Sequence, residues 1–171
     1  MGSSKPIGTI AECYAHAVAM EREAATRYAE FAELMAERGE EATAELFEQL
    51  ARFDARQADL LATRAARMTL PRIPSLEHSW VDDAPPEAVS HEPFHLLTAH
   101  DALQIALRNK QRSKALFEQV ATSAEDAEAK DLAAEMSVEE AEHIRRLRDA
   151  IARTPTPLVW DERMLEALPL H

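Results

Sequence analysis

Four long stretches of the chain have apolar residues recurring every three or four positions. This spacing is typical of amphipathic helices that bury one face, and it predicts helices near 10–38, 41–68, 98–122 and 124–153. In the first stretch, one carboxylate stands among apolar or small residues on the predicted inner face, which consists of Tyr14, Val18, Glu21, Ala25, Tyr28, Ala32 and Met35.

The connections between these stretches contain the residues that break helices. None of the three glycines and nine prolines falls inside a periodic stretch, and Gly39 stands just past the first predicted helix. The short link at Gly39 makes the first two helices antiparallel neighbours, whereas the aperiodic segment 69–97 is long enough to cross the bundle. We therefore predict an all-α, antiparallel four-helix bundle over residues 1–153 with a crossover at 69–97. A proline-containing tail at 154–171 is expected to pack outside the bundle or across a partner subunit.

Composition restricts the partners and the compartment. Nineteen Lys and Arg residues stand against 31 Asp and Glu residues, a formal net charge of −12, so a nucleic acid or an anionic membrane is a poor partner. Cys13 is the only cysteine, which excludes an internal disulfide, a four-cysteine iron site and a cysteine-rich zinc site. With no evident targeting segment or membrane span, we expect a soluble protein of the reducing cytoplasm.

Six polar residues are predicted at one depth of the bundle interior: Glu21, Asp54, Gln57, Lys110, Glu140 and His143. A charged group in an apolar seam is unfavourable unless it is paired or coordinated. Glu140 and His143 form a Glu-x-x-His pair one turn apart, the arrangement with which such bundles present metal ligands. Two alternatives remain at this stage: a solvated Glu140–His143 pair, and a Lys110 side chain that extends outward from the edge of the seam.

Several other residues are of types that can take part in redox chemistry or metal binding, but their sequence context favours a structural role. Tyr28 and Phe117 occupy seam positions and are expected to fill the core rather than to act in redox chemistry. Cys13 has no neighbouring base or second cysteine in sequence, so a buried inert thiol is expected. The histidines near 91–100 straddle a proline and a helix start, which favours a solvated loop over a second metal site.

The chain resembles the rubrerythrin-like branch of the ferritin-like superfamily, in the short form without a rubredoxin-type iron domain. The matching segments are AMEREAATRY (19–28), ELFEQL (45–50), ALQIALRNKQR (102–112) and EEAEH (139–143). The resemblance covers roughly residues 10–153 and implies a ferritin-like bundle that binds two irons through six ligands. It places Glu21 at the helix-one ligand position, and Glu140 and His143 at the bridging Glu and the His of helix four.

The three other ligand positions depart from the family pattern. Asp54 stands where the resemblance implies a bridging Glu, Gln57 where it implies a His, and Lys110 where it implies a terminal Glu. An amide is a weak iron ligand. A protonated ammonium cannot bind a metal, although its charge substitutes for part of what a cation supplies. The residual candidate metal ligands are Glu21, Asp54, Glu140 and His143.

Two classes of function are compatible with these residues. One is a protein without enzymatic activity, metal-free or holding a single metal ion, whose ion-pair network replaces the iron pair and whose role is structural, assembly or regulatory. The other is a di-iron oxidoreductase of peroxidase or ferroxidase type, or a one-metal remnant that uses the residual ligands. The loss of a ligand on each side of the site favours the protein without enzymatic activity, because O2 or peroxide activation needs two close, comparably ligated irons. The resemblance also implies a homodimer.

Overall fold

The computed structural model describes residues 6–74, 80 and 98–155. These residues form four helices and no strand, which confirms the predicted all-α bundle: α1 (Ile10–Glu37), α2 (Glu41–Arg64), α3 (Ala99–Ser123) and α4 (Ala127–Arg153). Two predicted boundaries were wrong, because α2 ends at Arg64 rather than near 68 and α4 starts at Ala127 rather than at 124. No helix in the described ranges is both long and apolar enough to cross a membrane.

The helix ends follow their capping residues. The Thr9 hydroxyl accepts a hydrogen bond from the Glu12 backbone N–H at 3.2 Å, and Thr98 and Asp101 form a reciprocal capping box at the start of α3. Gly39 has a φ of +74°, in the left-handed region that glycine adopts without strain. This residue turns the chain from α1 into α2.

The relative direction of the helices follows from contacts at one end of the bundle. Asp126, between α3 and α4, accepts a hydrogen bond from the Ile10 backbone N–H at 3.0 Å and donates its own N–H to Gly8 at 3.3 Å. The α3–α4 turn therefore lies beside the start of α1. Because α2 returns to that same end, α2 and α3 run parallel, and the connection between them joins opposite ends of the bundle.

Most of that connection lies outside the described residues, as does the tail beyond residue 155. Trp80 is an informative exception, because it belongs to the connection and is only 1% exposed. Its ring meets Tyr28 and Phe31 edge-on, with centroid distances of 5.6 and 6.1 Å. Aromatic pairs favour this arrangement, so part of the connection is anchored in the core.

The apolar interior divides into two clusters, one toward each end of the bundle. One is built around Phe31, Phe47 and Trp80, and the other around Leu61 and Phe117. Each helix contributes to the core on both sides of its midpoint, as the amphipathic pattern predicts. The predicted polar level lies between these two clusters.

Candidate functional site

All six polar residues predicted at one level are buried there. α1 contributes Glu21, α2 contributes Asp54 and Gln57, α3 contributes Lys110, and α4 contributes Glu140 and His143. The most exposed of them, Gln57, has 9% of its surface accessible. The helices thus gather charged and polar side chains in a place where each needs an internal partner.

Lys110 is paired inside the bundle. Its Nζ lies 3.0 Å from Asp54 Oδ2 and 3.4 Å from Glu140 Oε1, and its side chain is 2% exposed. This confirms the predicted internal ion pair and excludes the outward-pointing alternative. The ammonium also lies 5.5 Å from the centroid of the Tyr28 ring, within the range of a cation–π contact.

The charge on Lys110 is stabilised by its neighbours. Burial alone would lower the pKa of Lys110, but the acidic groups around it, Glu140 foremost and also Asp54, outweigh burial and hold that pKa well above its ordinary value. The side chain is therefore an ammonium at neutral pH. In that form it has no lone pair to offer a metal ion.

The pKa values of the Glu21 and Glu140 carboxyl groups are both raised, and the two groups influence each other. Burial raises the pKa of Glu21 well above its ordinary value, against the opposing charge of Lys110, and burial also raises the pKa of Glu140. A hydrogen bond between the two carboxyl groups raises the pKa of Glu21 further and lowers that of Glu140. Of the two, Glu21 is therefore the group that holds a proton more readily, and Glu140 is the one that faces Lys110.

His143 is neutral at physiological pH. Burial, assisted by the charge of Lys110, lowers its pKa to about 4. The 3.6 Å distance between His143 Nδ1 and Asp54 Oδ1 is therefore not an ion pair. The imidazole ring packs edge-on against Phe53 with a centroid distance of 4.7 Å, which holds its orientation.

Gln57 engages a residue that the sequence analysis did not assign to the site. Its Nε2 donates to both carboxylate oxygens of Glu139 at 2.8 Å. Glu139 is half-buried, and burial together with the neighbouring charges of Glu135 and Glu140 raises its pKa to about 7. The double glutamate at 139–140 was the only sequence signal for this contact.

Five buried polar atoms of this level have no hydrogen-bond partner among the described residues: Glu21 Oε2, Tyr28 Oη, Asp54 Oδ1, Glu140 Oε2 and His143 Nδ1. Buried polar groups are rarely left unsatisfied, so these five atoms are the ones that a small polar guest such as water or a cation would contact. Tyr28 was predicted as a core residue, and its ring is one, but its hydroxyl is one of these five atoms.

Comparison with known proteins points to one family. The family model that matches is Rubrerythrin, over residues 12–151, a range that contains the whole polar level. The chain is also similar to the crystal structure of an uncharacterised conserved protein from Magnetospirillum magnetotacticum MS-1. The two share 36% sequence identity with a TM-score of 0.79, over 88% of this chain and 99% of the other. No functionally curated protein matches the chain.

Proposed function

The chain belongs to the rubrerythrin family, and we propose that it is a member in which a buried ion-pair network stands in place of the di-iron centre. Its role in this proposal is structural or regulatory rather than enzymatic. The homodimer and the cytoplasmic location remain predictions from the sequence.

The observation that carries the proposal is the position of the Lys110 ammonium. It stands 3.0 Å from the Asp54 carboxylate and 3.4 Å from that of Glu140, the two residues at which the resemblance implies the bridging ligands. Metal ions and ammonium groups both neutralise buried carboxylates, so Lys110 supplies internally a charge that would otherwise come from a cation. With His143 neutral, one ammonium faces the carboxyl groups of Asp54 and Glu140.

A pair of irons does not fit the side chains as they stand. Where the resemblance implies a terminal ligand, Lys110 is an ammonium paired with Asp54, which cannot ligate, and the Gln57 amide is hydrogen-bonded to Glu139. In the described ranges, no three His, Cys, Asp or Glu side chains are arranged to hold a metal ion. Di-iron chemistry requires two metals with comparable ligand sets, which these residues do not offer.

The ion-pair network connects the four helices to one another. Lys110 on α3 is tied to Asp54 on α2 and to Glu140 on α4, and Glu140 is tied to Glu21 on α1. All four helices are thus joined at one level, with hydrogen bonds that have directional requirements. Buried polar networks of this kind can fix the register of packed helices, which is the structural role that we assign to this one.

A second candidate is a one-metal protein or an oxidoreductase of the di-iron carboxylate type that keeps its metal through Glu21, Asp54, Glu140 and His143. The unpartnered oxygens and imidazole nitrogen of these four residues favour it, because carboxylate and neutral imidazole are suitable iron ligands. Binding would require Lys110 to lose its proton or to leave the two carboxylates.

Metal content separates the two candidates. The protein should be purified without a chelating column, reconstituted anaerobically with Fe(II), analysed by mass spectrometry and then exposed to air. We expect at most one weakly held iron per chain and no near-ultraviolet band from oxo-bridged iron. Two irons per chain together with that band would overturn the proposal and favour the oxidoreductase.

A further inference from the structure

A cavity of about 590 Å³ lies between α1 and α3, where Trp80 also contributes to its wall. None of the six residues of the polar level lines it, so it is separate from the ion-pair network. Small-molecule sites in proteins commonly have volumes of about 300–1,000 Å³. The cavity is therefore large enough for an organic ligand.

The apolar part of the wall is supported by the core. Met20 from α1 and Leu116 from α3 line the cavity together with Trp80. The edge-on contact with Tyr28 at 5.6 Å fixes the orientation of the Trp80 ring, which is otherwise 1% exposed. An apolar surface held in place by core contacts favours a ligand with an aliphatic or aromatic portion.

The polar side chains that line the same cavity are His16, Glu23, Asn109, Arg112, Ser113, Gln119 and Ser123. Asn109 and Ser113 are one turn apart on α3, and His16 comes from α1 on the other side. Ser113 is only 7% exposed, yet its hydroxyl forms no hydrogen bond within the described part of the chain. Its oxygen is not among the fully enclosed polar atoms that lack a partner, so it retains accessible surface, and the cavity is the space from which a partner can come.

The charges near the cavity do not favour an ionic ligand. His16 is half-buried, and burial lowers its pKa against the opposing charge of Glu12, so its imidazole is neutral at pH 7. Glu23 is bonded to Arg27 at 2.9 Å, and Arg112, which is exposed, has an interaction of its own. The groups left to meet a ligand are therefore neutral donors and acceptors.

We propose that this cavity binds a neutral amphipathic organic molecule, with its apolar body against Met20, Trp80 and Leu116 and a hydroxyl, carbonyl or amide head hydrogen-bonded by Ser113 and its neighbours. A medium-chain alcohol is the simplest representative of this class. The inference goes beyond the proposed function and does not depend on the metal content of the protein.

Trp80 provides the reporter for the test. The chain has two tryptophans, so Trp160→Phe leaves Trp80 as its only indole. In the Trp160→Phe variant, the neutral dye N-phenyl-1-naphthylamine should quench the emission of Trp80, and its own emission should rise through energy transfer from Trp80. Dodecanol should displace the dye more effectively than dodecanoate, because the head group meets neutral partners.

Two variants test the assignment of the wall. Ser113→Ala should weaken displacement by dodecanol roughly fivefold to tenfold, the value of one hydrogen bond, and should leave displacement by dodecane unchanged. Asn109→Phe should abolish dye binding by filling the cavity. Ala115→Phe, at an exposed position of α3 outside the cavity, is the matched control and should bind normally.

Each contrary result overturns the inference. Absence of energy transfer would mean that another part of the chain or a second copy fills the cavity. Equal displacement by dodecanol and dodecanoate would mean unselective apolar binding, and equal losses in Asn109→Phe and Ala115→Phe would place the dye elsewhere. Ser113→Ala removes only a hydroxyl, so an unchanged response to dodecanol in a folded Ser113→Ala protein contradicts the assignment independently.

Discussion

Replacing Lys110 with methionine removes the buried ammonium while keeping a side chain of similar length. The Nζ atom lies 3.0 and 3.4 Å from its two carboxylate partners. At an effective dielectric constant of about 20, each contact corresponds to roughly 5 kcal/mol of gross attraction, most of which offsets the desolvation of the charges. Removing one member of such a network leaves uncompensated carboxylates, which costs about 3–5 kcal/mol.

Urea unfolding at pH 7.5 in the presence of chelator measures this loss. We expect Lys110→Met to lower the free energy of unfolding by about 3–5 kcal/mol and the melting temperature by roughly 6–20 °C. Lys114→Met is the matched control, because Lys114 lies on the same helix and pairs with Glu118 at the surface. It should change stability by less than about 1 kcal/mol.

The pH dependence gives a second, independent signature. Because the pKa of Lys110 is raised in the folded state, its stabilising contribution is complete below the unfolded-state value of 10.5 and is lost as pH rises above it. In Lys110→Met, the carboxyl group of Glu140, whose pKa is raised by burial, compensates by binding a proton, so the difference from the wild type should shrink as pH falls toward 5. A difference below about 1 kcal/mol at pH 7.5, or one that does not shrink in acid, would refute the ion-pair account.

Three further predictions concern stability. The pKa of Glu139 is raised from 4.5 to about 7, so between these pH values the folded state retains a proton that the unfolded state loses. The urea midpoint of the wild type should therefore fall as pH rises from 4.5 to about 7, and Glu139→Gln should make the midpoint depend less on pH. Trp80→Ala should cost roughly 3–5 kcal/mol in urea unfolding, whereas Leu60→Ala, at a 53% exposed position, should cost less than about 1; similar losses would mean that Trp80 does not fill the core. Gly39→Ala should lower the unfolding free energy by about 1 kcal/mol because of the positive φ, and an unchanged midpoint would argue against that turn.

Much of the polar level could be predicted from the sequence, because helical spacing fixes the direction in which side chains point. Glu21, Asp54, Lys110 and Glu140 each occupy a position in the apolar pattern of their own helix, and the cost of unpaired buried charge then predicts their contact. The pairing of Lys110 followed from this argument alone. The same spacing gave the number and order of the helices.

Features that depend on contacts between distant segments were not predictable. The late start of α4 reflects the use of Asp126 to cap α1, which periodicity within α4 cannot indicate. The bond from Gln57 to Glu139 depends on the rotation of α2 against α4, since both carboxylates at 139 and 140 were available from the sequence. The cavity beside Trp80 likewise combines three segments far apart in the chain.

We propose that Lys110 and Gln57 stand where metal ligands would otherwise be. Anaerobic calorimetric titration with Fe(II) of the wild type, Lys110→Glu and the double variant Lys110→Glu with Gln57→His tests it most directly. We expect at most one weakly bound iron in the wild type, one additional site in Lys110→Glu, and a second additional site in the double variant, because imidazole is a far better iron ligand than an amide. In chelator, Lys110→Glu should be less stable than the wild type and should recover when metal is added. Equal iron stoichiometry in all three proteins would contradict the claim.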